Sequence, residues 1–100
     1  MNKSAKIFVA GHRGMVGSAI VRSLHAKGYT NLITATRDQL DLIDQKAVYA
    51  FLENERPEYI FIAAAKVGGI YANNTFPADF IYENLIVQVN VIEAAFRSGV

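Results

Sequence analysis

Glycines at 11, 14 and 17 punctuate the segment Gly11-His12-Arg13-Gly14-Met15-Val16-Gly17, which follows the apolar run Ile7-Phe8-Val9-Ala10 and opens a helical pattern. A glycine turn between strand and helix bends the backbone tightly and lets a ligand approach the main chain. The free N–H groups and positive dipole end of the helix then face any bound anion. In a strand-helix-strand unit the usual occupant is a dinucleotide pyrophosphate. The same glycines would also serve an ordinary tight connection, so context decides. The preceding strand is short and continuously apolar, as suits a parallel strand covered on both faces. After it, Val16, Ala19, Ile20 and Leu24 recur at helical spacing.

A second chemical signal follows the next apolar run. An NAD site places an acidic residue there for the ribose hydroxyls, whereas an arginine pairs with the extra phosphate of NADP. This chain has Arg37, and Arg13 inside the glycine turn is available to converge on the same phosphate. Guanidinium donors match phosphate oxygens in geometry. NADP is therefore the expected cofactor. Asp38, next to Arg37, keeps an NAD reading open, and either arginine alone would also suit a solvated surface.

Alternating strand and helix patterns position these residues. The first strand is expected over residues 6–10 and a helix over 15–26, closed by Gly28. A second strand fits residues 31–35. Leu40-Asp41-Leu42 reads as a short strand or a turn. Asp44 suits the N-cap of a helix carrying Val48, Phe51 and Leu52 on one face, which Pro57 must end. Residues 59–65 form the next strand, with Ile60-Phe61-Ile62 the strongest buried-strand signal in the chain. The loop over residues 67–76 lies at that strand's carboxyl end, where ligand crevices form in open α/β sheets. Pro77 suits the first turn of a last helix over residues 77–97, with Gly99 beyond it. Ile81, Leu85, Val89, Ile92 and Phe96 make one stripe of that helix, yet Ile86, Val87 and Val91 fall outside it. A helix apolar on more than one side needs a second burial partner, either more of the same domain or another subunit. The economical topology is a parallel sheet in an α/β fold.

Composition excludes several classes. The 100 residues are 52% hydrophobic, enough for one compact core but few for a complete doubly wound sheet. Without cysteine there is no disulfide framework or thiolate metal site, and no metal site is expected. A net charge of +1 with dispersed Lys and Arg leaves no footprint for nucleic acid or membrane. No apolar run reads as a signal peptide or membrane span, so the expected compartment is the cytoplasm.

The glycine spacing i, i+3, i+6 resembles that of short-chain dehydrogenases/reductases. The blocks Val9-Ala10-Gly11-His12-Arg13-Gly14-Met15-Val16-Gly17, Thr36-Arg37-Asp38, Ala63-Ala64-Ala65-Lys66-Val67-Gly68-Gly69 and Ala72-Asn73-Asn74-Thr75-Phe76-Pro77 resemble the GDP-L-fucose synthase family, extended members of that group. The resemblance covers nearly the whole chain, and its later blocks are more specific than the glycine turn. It implies a Rossmann-type doubly wound parallel sheet, of which residues 1–100 are the amino-terminal part. It also implies epimerisation of GDP-4-keto-6-deoxy-D-mannose at C3 and C5 and reduction at C4 by NADPH. Carried over, Gly11, His12, Arg13, Gly14, Met15, Val16 and Gly17 would hold the pyrophosphate, and Arg13 and Arg37 the 2′-phosphate. Asp38, Gln39, Leu40, Asp41 and Leu42 would meet the adenine end. Ala63, Ala64 and Ala65 would pass close to the ribose, although alanines there would equally suit tight packing. Lys66, Val67, Gly68, Gly69, Asn73 and Asn74 would line the loop nearest the nicotinamide and the GDP-sugar, unless they are simply solvated.

Reductases of this group use a Tyr with a Lys four positions later. The residues four after Tyr29, Tyr49, Tyr59, Tyr71 and Tyr82 are Ile33, Glu53, Ala63, Thr75 and Ile86, so this chain holds no such pair. His12 and His25 suit no proton transfer to a hexose. No catalytic residue is therefore expected within these residues, and these 100 residues alone are expected to be inactive. The catalytic groups and the substrate domain are expected beyond Val100. An open sheet edge and the apolar last helix favour self-association, with a homodimer through that helix as the expected assembly. A reductase or epimerase for another nucleotide sugar, or a non-catalytic dinucleotide-binding regulator, would share the same half.

Overall fold

The computed structural model describes residues 2–63 and 77–100, the stretch 77–84 by its backbone alone. The elements run β1 (Ile7–Ala10), α1 (Met15–Ala26), β2 (Leu32–Ile33), α2 (Gln45–Glu55), β3 (Tyr59–Ile62) and α3 (Pro77–Ser98). The three strands form one parallel sheet in the order β2-β1-β3. Ile7 pairs with Leu32 on one side and with Tyr59 on the other, and Ala10 with Ile62.

β1 is the centre of the molecule because all four of its side chains are apolar and all are buried. Successive strand residues point to opposite faces. Ile7 and Val9 therefore pack with Leu24 of α1 and Tyr29, while Phe8 and Ala10 pack with Val48 and Leu52 of α2 and Val91 and Ala94 of α3. The Phe8 and Phe51 rings meet at 4.9 Å with a 52° tilt. Helices thus cover both faces of a parallel sheet, the doubly wound arrangement of the Rossmann type.

Local chemistry ends the helices where expected. Past α1, Gly28 takes φ +91, the Gly28 amide donates to the His25 carbonyl and the Tyr29 amide to the Leu24 carbonyl, both at 3.0 Å. Only glycine takes that φ without strain, and the paired bonds satisfy carbonyls the helix leaves open. Asp44 caps α2, its carboxylate accepting from the Ala47 amide at 3.2 Å. Arg56, not a glycine, is the left-handed residue before Pro57. Its guanidinium reaches Glu53 at 2.6 Å and the Ser98 carbonyl at 3.1 Å, tying the ends of α2 and α3 together.

Several expectations change. β2 holds two residues rather than five; of the two readings open for residues 40–42 the strand is not formed, and the chain turns at 42–43. β3 is not buried: among the described residues it pairs only with β1, and Tyr59 and Ile62 are exposed. An apolar strand is buried only when a neighbour and both layers reach it. On α3 the inward face is Val87, Asn90, Val91 and Ala94, whereas Leu85, Val89, Ile92 and Phe96 of the longer stripe face outward. Ile81 lies among residues whose side chains are outside the description, as do residues 64–76 entirely.

Candidate functional site

Sheet order creates the site. The chain leaves β1 for β2 on one side and returns through α2 to β3 on the other, so β1 is the point where strand order reverses. Ligand crevices open at the carboxyl ends of strands flanking such a point. There the structure has a cleft of about 330 Å³ lined by residues that follow all three strands: Gly11 to Gly14 after β1, Ala35 to Arg37 after β2, and Ala63 after β3. Leu40 to Ile43 and Val87 of α3 complete the wall. The Ala63 amide donates to the Ala10 carbonyl at 2.9 Å, carrying the β1–β3 ladder to the cleft's edge.

The glycines divide the labour. Gly11 takes φ +86 and turns the chain out of β1. Gly17 serves packing: a Cβ there would lie 1.9 Å from the Gly11 carbonyl oxygen, so only glycine lets α1 sit against the turn. Gly14 is the N-cap and has room, a Cβ meeting the same oxygen at an ordinary 3.5 Å. No side chain caps α1, and its first turn carries no acidic residue. The opening N–H groups of a helix need acceptors, and an anion supplies them.

Arg13 and Arg37 both border this cleft and are exposed. Among the described residues neither is in an ion pair with a carboxylate. Two guanidinium groups and an uncapped helix start therefore concentrate positive potential at one place. Arg37 and Asp38 occupy the middle of a turn locked from both ends. The Thr36 amide donates to Gln39 Oε1 at 2.8 Å and the Gln39 amide to Thr36 Oγ1 at 3.3 Å. The Gln39 carboxamide thus shapes the turn. Asp41 borders the cleft, with Oδ1 accepting from the Ile43 amide at 3.1 Å.

Of the residues expected at the site, Gly11, His12, Arg13, Gly14, Arg37, Leu40, Asp41, Leu42 and Ala63 line the cleft. Leu40 does so from the core, being buried against Phe8 and Val48. Met15, Val16, Gly17, Asp38 and Gln39 are not part of its lining; Met15 and Val16 are exposed at the start of α1. Ala64, Ala65, Lys66, Val67, Gly68, Gly69, Asn73 and Asn74 lie outside the described residues. Ala35, Thr36, Ile43 and Val87 line the cleft without having been expected there. Asn90 was also missed. It is 1% exposed and donates from Nδ2 to the carbonyls of Leu42 and Ile43, both at 2.9 Å. Its signal was a polar residue at helical spacing among Val87, Val91 and Ala94.

This arrangement fits a dinucleotide: an anion seat of backbone amides, cationic side chains beside it, and a half-apolar wall. The chain is 61% identical over 99 residues to GDP-L-fucose synthase 1 of Arabidopsis thaliana, covering 99% of this chain and 31% of that protein. To GDP-L-fucose synthase of Escherichia coli it is 54% identical over 95 residues, covering 95% and 30%. It superposes at TM-score 0.94 and 46% identity on MlghC, a GDP-mannoheptose C4 reductase from Campylobacter jejuni solved with NADP bound, over 100% of this chain and 32% of that one. The chain thus spans about 30% of the length of the curated relatives it matches. Residues 7–100 match the NAD dependent epimerase/dehydratase family, and the chain belongs to it.

Proposed function

We propose that residues 1–100 are the amino-terminal part of the NADP-binding domain of an enzyme that converts GDP-4-keto-6-deoxy-D-mannose to GDP-L-fucose. The observation that carries the cofactor reading is the convergence of Arg13 and Arg37 on the uncapped start of α1. The 54% and 61% identity to GDP-L-fucose synthases supports the substrate. Bound NADPH supplies the hydride that reduces the C4 ketone of the sugar. The first-turn amides of α1 hold the diphosphate, and Arg13 and Arg37 bind the 2′-phosphate. Residues 38–42 wall the adenine, and the family resemblance assigns the small residues Ala63, Ala64 and Ala65 to the ribose. The family resemblance assigns residues 66–69 with Asn73 and Asn74, which lie outside the described residues, to the nicotinamide and sugar. Tyr/Lys proton transfer belongs to the part of the protein that these residues do not span.

A GDP-sugar is the expected substrate partner. The compartment proposed is the cytoplasm; among the described residues no helix is long and apolar enough to cross a membrane. The exposed Leu85, Val89, Ile92 and Phe96 of α3 support a homodimer through that helix. The 46% identity to a GDP-mannoheptose reductase favours one second reading, another GDP-sugar as substrate. The test is NADPH oxidation by the full-length protein with GDP-4-keto-6-deoxy-D-mannose and product analysis. GDP-L-fucose is the expected product. Turnover only with a different GDP-sugar supports the second reading, and NADPH binding without turnover of any GDP-sugar would indicate a regulator.

A further inference from the structure

Asn90 lies on the α3 face that packs against the core, yet its carboxamide is spent on a loop rather than on the helix. At 1% exposure it places both hydrogen bonds of one Nδ2 on consecutive carbonyls, Leu42 and Ile43, at 2.9 Å each. Both of those residues line the cleft, and so does Val87, the α3 residue one turn before Asn90. From its other side the same loop is held by Asp41 Oδ1, which accepts the Ile43 amide at 3.1 Å. Leu40, buried in the core, anchors the loop's start. The wall is thus held by hydrogen bonds from Asn90 and to Asp41 and by the buried Leu40.

We infer that Asn90 is a positioning residue for the adenine half of the nucleotide: it acts through the 42–43 backbone, without touching the ligand, and so sets affinity for the adenosine end alone. The inference rests on the nucleotide-binding reading above. A neutral donor is required. Two carbonyls converge on one nitrogen, so a carboxylate of the same shape would set acceptor against acceptor. Loss of the clamp leaves two half-buried carbonyls without their donor, and the loop moves to resolvate them. A wall that moves loses the preorganisation on which tight binding depends.

The test uses the full-length protein and two fragments of the cofactor, 2′,5′-ADP for the adenosine end and reduced nicotinamide mononucleotide for the other. Asn90→Asp should weaken 2′,5′-ADP at least tenfold, leave the mononucleotide unchanged, raise the NADPH KM and keep kcat at saturating NADPH within twofold. Asn90→Ala carries the same test should the aspartate variant not fold. The wild-type protein adds an arm free of substitution: 2′,5′-ADP should slow amide exchange at Ile43 and Asp44. A folded variant that binds 2′,5′-ADP as wild type does, equal losses for both fragments, or unaltered exchange at Ile43 and Asp44 would overturn the inference. A wild-type protein that binds neither fragment refutes the proposed function itself, which keeps the two failures apart.

Discussion

Gly17→Ala separates the structural from the ligand-binding use of the glycine turn. A Cβ at Gly17 would stand 1.9 Å from the Gly11 carbonyl oxygen, 2.6 Å from its carbon and 3.1 Å from the His12 Cα. All three are main-chain atoms, so no side-chain rotation relieves the clash. Reaching ordinary contact near 3.4 Å requires the turn and α1 to part by about 1.5 Å. Overpacking of this kind costs about 1–3 kcal/mol, while alanine's helix preference over glycine returns about 1 kcal/mol. The net expectation is a loss of roughly 0–2 kcal/mol, toward the upper end because only main-chain movement relieves the 1.9 Å approach, with weaker NADPH binding because the turn itself has shifted. Gly14→Ala is the matched control. Its Cβ finds 3.5 Å of clearance, and φ −73 with ψ 169 is open to any residue. Cap preference and chain entropy there oppose one another, leaving stability within about 1 kcal/mol. Its methyl group nevertheless stands at the helix start where the diphosphate must approach, and NADPH affinity should fall at least about tenfold, or about 1.4 kcal/mol. Urea denaturation of the nucleotide-free full-length protein and fluorescence titration with NADPH measure both quantities. If Gly17→Ala unfolds at the wild-type urea midpoint, or Gly14→Ala binds NADPH as tightly as wild type, this division of roles is refuted.

Arg37→Ala should weaken NADPH by about 1.5–3 kcal/mol, the worth of a charged hydrogen bond, and leave NADH nearly unchanged; equal losses in paired titrations would remove Arg37 from the phosphate site. Leu52, fully buried between Phe8 and the α3 face, should cost about 2–5 kcal/mol on truncation to alanine, read as a lowered urea midpoint. Phe96→Glu alters a side chain 79% exposed within these residues; on the homodimer reading the full-length variant should keep its wild-type circular dichroism and convert a dimer to a monomer in sedimentation velocity. A variant that sediments as the wild type does would take Phe96 out of the interface.

What the sequence determined by itself was whatever depends on neighbours along the chain. The bounds of α1, the Gly28 stop and the Asp44 cap were legible because each is a bond or a φ angle set within one helical turn. The glycine turn was legible for the same reason. Tertiary structure decided the rest. Arg13 and Arg37 meet at one cleft only because β1 and β2 are adjacent parallel strands whose carboxyl ends lie together. Periodicity marked α3 as apolar on two sides, but packing against β1 and α2 chose Val87, Val91 and Ala94 as its inner face. The same contact made Asn90, which the helical pattern had not singled out, the support of a loop far away in sequence. Gly17 drew its necessity from the Gly11 backbone rather than from a ligand. Side-chain pattern states which residues must be buried; it does not state against what, because that partner is supplied by distant segments whose approach only the folded chain defines.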